Sequence, residues 1–333
     1  MDHPKFSQFN VSTAAYKSVN EQEIPLWVLV PKGIHTGKRP VLVHFHGGYL
    51  ISGHAMFPDW AGKHVPPPFE QQQLNTLTAQ WALDYAIQNN AIMIRANYRL
   101  APESNGLEIL SDIRDALSWV EHSLPSHLKT VGSEITADYQ HLAVYGESAG
   151  GYLAIQSGMM RPDLIKAIIA AYPMTYLDSP WYAVASTDKS PFGEPQVPRE
   201  ILDAFLAARV PGKIFTGSLP MDEKRDPMTM STLQHGRFPE ILGTDDEIYP
   251  GRVLAKISPD TKVPFLYVFH GTEDSAVPCG EAKQFVEAWK LKFGEEKGIG
   301  KFVPGEHGFD SETTLETEWM KEGLAEVAKA WIS

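Results

Sequence analysis

The sequence has a single cysteine, Cys279, among 333 residues. A lone thiol excludes an internal disulfide and a zinc site built on several thiolates, and it fits a reducing compartment. Positive charge is also scarce. Lys and Arg number 29 against 41 Asp and Glu, a net charge of −12. So acidic a chain repels phosphate backbones and anionic lipid, so neither nucleic acid nor a membrane surface is an expected partner. No run of 18 apolar residues occurs, which argues against a membrane-spanning helix. The opening stretch MDHPKFSQFNVSTAAYKS holds no apolar h-region and the closing AKAWIS matches no simple targeting tail. A cytoplasmic location is therefore expected. Internal repeats and charge blocks are missing as well. The rest is ordinary: 43% hydrophobic and 21% charged residues exclude disorder for most of the chain.

At roughly 150 residues per domain the length suggests two domains, or one long α/β domain carrying an insertion. The order of elements favours the second. Ile24–Pro31 and Val41–His46 read as strands with no helix between them, which predicts an antiparallel edge. Beyond them apolar strands alternate with helical spacing. Leu74–Asn89 reads as a helix, Ala91–Tyr98 as a strand, Leu107–His122 as a helix, and His141–Tyr145 as a strand followed by a helix through Met159. Lys166–Tyr172 and Val263–His270 read as strands, and Glu281–Phe293 and Thr314–Ile332 as amphipathic helices. Such alternation predicts a mostly parallel sheet with helices on both faces. Residues 178–260 break the pattern: they are rich in Pro, Gly, Asp and aromatics, with one clear helical piece at Arg199–Val210. That is too long for a plain loop and reads as an inserted cap or lid in a single domain spanning 1–333.

Gly146-Glu147-Ser148-Ala149-Gly150 follows the strand HLAVY and precedes a helix. A sharp strand-to-helix turn there would expose the Ser148 hydroxyl above the sheet edge, over a helix N-terminus. A glycine-rich turn with an ordinary serine is the competing reading, and the strand and helix context weighs against it. His46-Gly47-Gly48-Tyr49 follows the strand VLVHF. Glycines at a strand end leave backbone N–H groups free, as an oxyanion hole requires. The candidate donors are the N–H groups of Gly48, Tyr49 and Ala149, with Gly47 shaping the turn and His46 supporting the loop.

A serine nucleophile needs a base, and the base an orienter. Position must choose among 12 histidines. His307 lies in a loop after the strand-like GKFV and before the last helix. Asp274 lies just past the strand VPFLYVFH. The chain order Ser148, Asp274, His307 is one of the known triad orders. Glu273 is the rival orienter. His270 reads as a strand-end group beside the site, and His54, His64, His141 and His235 as surface or loop residues.

Together, HGGY, then Asn97 to Glu103 (NYRLAPE), then GESAGG, then the Asp274 and His307 loops resemble the hormone-sensitive-lipase-like branch of the α/β-hydrolase superfamily. The resemblance covers residues 24–178 and 261–331 and leaves the insertion largely unmatched. It implies an eight-stranded sheet, a lid, and carboxylic ester hydrolysis without metal or organic cofactor. In that branch Tyr98–Glu103 would brace the loops near the nucleophile. Two departures stand out. Tyr49 replaces the third glycine of HGGG, so a ring would stand beside the oxyanion hole and narrow its acyl side. Glu147 replaces the more common aspartate before the serine.

The expected activity is hydrolysis of a small to medium apolar ester through an acyl-enzyme. A lactonase, a formamidase or amidase, and an acyltransferase or cyclase acting on a natural product would use the same triad. A non-catalytic receptor is disfavoured because all three triad positions are filled. The expected partner is a small-molecule ester or lactone; the sequence indicates no oligomeric state. Aromatics of the insertion, Trp181, Tyr182, Phe205, Phe192 and Phe215, and Met56, Phe57, Trp60 and Phe69 after HGGY, would line an apolar pocket or pack the lid. Pro66-Pro67-Pro68 would stiffen the latter loop.

Overall fold

The computed structural model describes residues 4–56, 79–218 and 222–333. Eight strands form one sheet in the order β1-β2-β4-β3-β5-β6-β7-β8. They are β1 (Phe9–Val19), β2 (Gln22–Pro31), β3 (Thr36–Phe45), β4 (Ile92–Ala96), β5 (Glu134–Glu147), β6 (Ala167–Ala171), β7 (Phe265–Gly271) and β8 (Gly298–Val303). β2 runs antiparallel to β1 and β4. β3 pairs in parallel with β4 and β5, and the parallel pairing continues through β6, β7 and β8.

The strand period of two explains how both faces are buried. On β3, Val41, Val43 and Phe45 join one core and Leu42 the other. The first core packs α2 (Gly106–His122), α4 (Ala149–Met160) and α10 (Cys279–Phe293) through Ile113, Leu153 and Phe285. The second packs α1 (Gln80–Gln88) and α11 (Glu318–Trp331) through Trp81, Tyr85, Leu324 and Trp331. Asn105 begins α2 with a capping box: its side chain accepts from the Glu108 N–H while Glu108 reaches back to the Asn105 N–H. A short α3 (Leu124–Thr130) leads into β5.

The expected pairing of the segments at 24–31 and 41–46 is not found, because β4 lies between them. The antiparallel edge is made instead by β1, which the sequence reading missed. Its sequence FNVSTAAYKSV has no apolar run, and its burial alternates because one face is solvated. The β1–β2 turn places Asn20 and Glu21 at φ 49° and 63°, a hairpin geometry usually announced by glycine. Of the helix expected at Leu74–Asn89, the part before residue 79 lies outside the described residues, as do Phe57, Trp60, His64, Phe69 and Pro66–Pro68.

Between β6 and β7 the described residues form five short α-helices: α5 (Pro180–Ala183), α6 (Glu200–Ala207), α7 (Arg225–Gln234), α8 (Phe238–Leu242) and α9 (Pro250–Lys256). No helix among the described residues is long and apolar enough to cross a membrane.

Candidate active site

Ser148 sits between the last residue of β5 and the first of α4, at φ 56° and ψ −116°. This is strained for a residue with a Cβ, and only small neighbours permit it. A Cβ on Gly146 would lie 2.1 Å from the Gly150 carbonyl oxygen, and one on Gly150 would lie 1.9 Å from that of Phe45. The Ser148 N–H donates to the Ala171 carbonyl at 2.8 Å, which ties the turn to the end of β6. Behind it, α4 is buried from Ala149 through Met159. The serine therefore rides on a rigid element, over unpaired N–H groups at a helix start.

The HGGY loop curls over this turn. A Cβ on Gly47 would lie 3.3 Å from that of Ser148, so glycine lets the two chains approach. Gly48 (φ 108°) turns back so that its carbonyl accepts from the Ile51 and Ser52 N–H groups, each at 2.9 Å. The N–H groups of Gly48 and Tyr49 have no acceptor among the described residues. The N–H of Ala149, first in its helix, lacks an intrahelical acceptor by geometry. These are the three donors expected from sequence.

His46 donates from Nδ1 to the Gly47 carbonyl at 2.7 Å and stacks on Tyr98 with ring centroids 4.3 Å apart. The Tyr98 hydroxyl donates to the His46 carbonyl at 2.8 Å. Burial pushes the His46 imidazole well below its usual pKa, so it is a neutral brace and no proton carrier. Glu147 does more than its neighbouring position suggested. One carboxylate oxygen accepts from the Gly47 N–H at 3.1 Å and the other from His44 Nε2 at 2.8 Å. The residue before Ser148 thus holds the HGGY loop.

Asp274 lies beyond β7 with its carboxylate fully buried. Oδ2 accepts from His307 Nδ1 at 2.7 Å and from His270 Nε2 at 2.9 Å. Oδ1 accepts from the Ala276 and Val277 N–H groups, each at 2.8 Å. Burial works against the negative charge. The adjacent His307 and the hydrogen bonds from His270, His307 and Val277 outweigh it and hold the carboxyl well below the usual carboxylate range. Glu273, the rival, is exposed. Glu306, which sequence reasoning passed over, ties the acid and histidine loops together. Its Oε1 accepts from the Ser275 N–H at 2.7 Å and the His307 N–H at 2.8 Å.

Two rings flank the His307 imidazole. Tyr172, just past β6, stands edge-on with centroids 4.5 Å apart, and Phe192 of the insertion stands edge-on at 5.8 Å. Tyr172 is itself strained, at φ 37°. Its hydroxyl donates to Asp310 Oδ1 at 2.9 Å, while Trp81 Nε1 donates to Oδ2 at 2.9 Å. Neither Tyr172 nor Asp310 was singled out from sequence. The one available signal was that Asp310 stands three places after His307.

The expected pocket aromatics separate into different roles. The Tyr49 hydroxyl donates to the Ala276 carbonyl at 2.7 Å and Trp181 Nε1 to the same oxygen at 3.1 Å. The Tyr49 ring therefore reaches across to the acid loop and lies 6.0 Å from Phe238. Tyr182 is fully buried against Phe238 at 5.3 Å. Phe205 packs under the Arg225 guanidinium, 5.5 Å from its ring centroid, and not against the His307 ring, which Tyr172 and Phe192 flank. Among the described residues no three His, Cys, Asp or Glu side chains converge as metal ligands.

Known proteins agree with this architecture. Residues 69–227 match a family described as alpha/beta hydrolase fold. A probable carboxylesterase from a Phoma species is 26% identical over 99% of this chain and 100% of its own length. A probable carboxylesterase from Cochliobolus lunatus is 28% identical over 57% of this chain and 87% of its own. A non-reducing polyketide synthase from Stachybotrys bisbyi is 25% identical over 97% of this chain, which spans 15% of that much longer protein. Among solved structures, carboxyl esterase 2 from Tuber melanosporum superposes with a TM-score of 0.58 at 16% identity, covering 98% of this chain and 88% of that one. A Thermogutta terrifontis esterase with bound butyrate gives 0.57 at 19%, covering 98% and 94%. The sheet order and the strand–serine–helix turn define the alpha/beta hydrolase class. The chain has that alpha/beta hydrolase fold, its residues 69–227 match the family of that description, and over its whole length it is similar to a probable carboxylesterase.

Proposed function

We propose that the chain is a carboxylic ester hydrolase that works through an acyl-enzyme on Ser148. The observation that carries this reading is the buried Asp274 carboxylate bonded to His307 Nδ1 at 2.7 Å. That bond fixes the tautomer and leaves Nε2 to take a proton. In the first half-reaction His307 removes the Ser148 proton as Oγ attacks the ester carbonyl. The N–H groups of Gly48, Tyr49 and Ala149 stabilise the oxyanion, a contribution of about 3–4 kcal/mol per donor. As the C–O bond breaks, His307 Nε2–H gives its proton to the leaving alcohol. Water, deprotonated by the same imidazole, then hydrolyses the acyl-enzyme. Asp274 stays ionised throughout, steadied by His270 and the Ala276 and Val277 N–H groups.

Residues 178–260 serve as a cap on the single α/β domain in this reading. Trp181 brings it to the acid loop and Phe238, backed by Tyr182, to Tyr49, where it shapes a pocket for a small-molecule ester. A second reading, acyl transfer or cyclisation on a natural product, is favoured by the similarity to part of a polyketide synthase. Comparing products with and without an added alcohol separates the two: an ester of that alcohol marks transfer, and the free acid alone marks hydrolysis. The serine assignment is tested with an organophosphonate. One phosphonate should attach to Ser148 and abolish hydrolysis, and Ser148→Ala should neither be labelled nor turn over. Full activity in Ser148→Ala would overturn the reading.

A further inference from the structure

Phe192 combines three features found together at no other expected pocket aromatic among the described residues. Its ring lies beside the imidazole of His307, 5.8 Å between centroids and edge-on at 71°. It remains 53% exposed, whereas the His307 side chain is only 13% exposed. Its backbone is left-handed, at φ 56° and ψ 20°, a conformation that a bulky L-residue rarely adopts. An exposed aromatic held in a strained conformation is not explained by core packing, since burial would be the return for the strain.

The turn that carries it is fixed on every side except the ring. The Phe192 N–H donates to Ser275 Oγ at 2.8 Å. Ser275 follows Asp274, and its own N–H donates to the Glu306 carboxylate that also accepts from the His307 N–H. Within the turn, the Gly193 N–H donates to Ser190 and the Glu194 N–H to Pro191, each at 3.0 Å, and Ser190 Oγ donates to the Glu194 carbonyl at 2.7 Å. The ring is thus wired to the same two loops that hold the acid and the base. Its distance from the imidazole is therefore tied to the active-site loops through Ser275 as well as to the insertion's own turn.

Resting on the serine-hydrolase reading, we propose that Phe192 is a specificity-determining residue for the leaving-group half of the ester, selecting flat aryl or conjugated alcohols. In acyl transfer the leaving oxygen must come within hydrogen-bond reach of His307 to receive its proton. The carbon framework attached to that oxygen is then carried alongside whatever ring flanks the imidazole on its solvent side. Tyr172 flanks the imidazole from the buried side and is pinned by Asp310, so it is closed to substrate. Phe192 offers the open face. A planar leaving group can stack on it or meet it edge-on, and a flexible alkyl group gains less because it lacks the matching quadrupole. Phe192 takes no part in bond making. It acts on how well the departing alcohol is bound in the acylation transition state.

The test uses the full-length protein and acetate esters that share one acyl group: phenyl, 1-naphthyl, cyclohexyl and ethyl acetate. Because all four form the same acetyl-enzyme, deacylation is common to them, and an effect on the leaving group appears in kcat/KM. Phe192→Ala should lower kcat/KM for the phenyl and naphthyl esters about 3- to 10-fold, the size of one aromatic contact. The cyclohexyl and ethyl esters should change less than about 2-fold, within the scatter of a neutral surface substitution. Phe192→Trp should restore or exceed the aryl preference, and Phe192→Leu should not. An equal change across all four esters, or none, overturns the proposal. Ser148→Ala run beside them keeps the two readings apart. If it still hydrolyses the esters, the serine mechanism fails; if it is inactive while Phe192→Ala treats aryl and alkyl esters alike, only the role of Phe192 fails.

Discussion

The sheet body and the stretch inserted between β6 and β7 hold together by different means. In the body, strands buried on both faces meet long helices: α2 has 17 residues, α10 has 15 and α11 has 14. In the insertion the helices have 4, 8, 10, 5 and 7 residues. Helices that short do not persist alone, and these bury Leu202, Met228, Leu233 and Phe238 in the same core as the sheet. They are pegged to backbone carbonyls by cationic side chains. Lys189 donates to the carbonyls of Val184 and Leu233. Arg225 donates to those of Ile51 and Ala101 at 2.7 and 3.0 Å, pairs with Glu103 at 2.6 Å, and lies over the rings of Phe205 and Phe215. The body can be specified by hydrophobic pattern, whereas the insertion adds particular polar pairs to its apolar contacts. Chemistry that must not drift belongs on the first, and contacts that choose a substrate can sit on the second.

The largest expected effect tests whether the chemistry resides in the body alone. Asp274→Asn should lower kcat by about 10⁴-fold with the fold retained, because an amide no longer holds the His307 tautomer. Near-native circular dichroism beside near-normal turnover would break the division. Next comes the joint between the regions. The Arg225 and Glu103 side chains are 4% and 6% exposed, so Arg225→Met leaves a buried carboxylate without its partner. The expected loss is about 3–5 kcal/mol in urea unfolding. Glu103→Gln with Arg225→Met should recover part of it, which would place the cost in the stranded charge.

Much of the body was legible in the sequence because its signals are local. The glycines around Ser148, the strand before it and the helix after it sit side by side in the chain. Asp274 and His307 could be chosen from order and from the strands preceding them. What could not be read was pairing across long separations. Glu306 bonds to the loop of Asp274 more than thirty places earlier in the chain, and Tyr172 meets Asp310 across 138 positions. Nothing near either residue announces this. β1 was hidden for another reason: an edge strand with one solvated face needs no apolar run. The insertion was recognisable as a region, and its aromatics as a group. Which of them faces the triad depends on pegs such as Arg225, whose partners are more than 120 positions away.

A smaller effect distinguishes the two rings beside His307. Tyr172→Phe keeps the ring and removes the hydroxyl that donates to Asp310. The carboxylate retains Trp81 but loses one buried partner, at an expected cost of about 1–3 kcal/mol in stability. If the pair also steadies the imidazole, kcat should fall several-fold with KM unchanged for aryl and alkyl esters alike. That uniform pattern is the opposite of the one expected at Phe192. A substrate-dependent change at Tyr172 would erase the distinction between a body-side ring that positions and an insertion-side ring that selects.

A further effect concerns a second contact between the regions, with the sign of its pH dependence fixed in advance. Glu281, in the first turn of α10, faces Ser179 and Asp178 at the start of the insertion. Burial, opposed by the nearby Ser179 hydroxyl and aided by the Asp178 charge, pushes its carboxyl up to about 7. Between its usual value of 4.5 and about 7, the folded state keeps a proton that the unfolded state has released. Stability must therefore fall as pH rises through that window. Glu281→Gln mimics the protonated form at every pH. Its melting temperature should match the native protein near pH 4.5 and exceed it increasingly up to about pH 7, with the gap constant above. A parallel pair of curves would mean that Glu281 titrates in the folded protein as it does in the unfolded chain. The contact there would then be held by apolar packing, as the body is, and not by a proton.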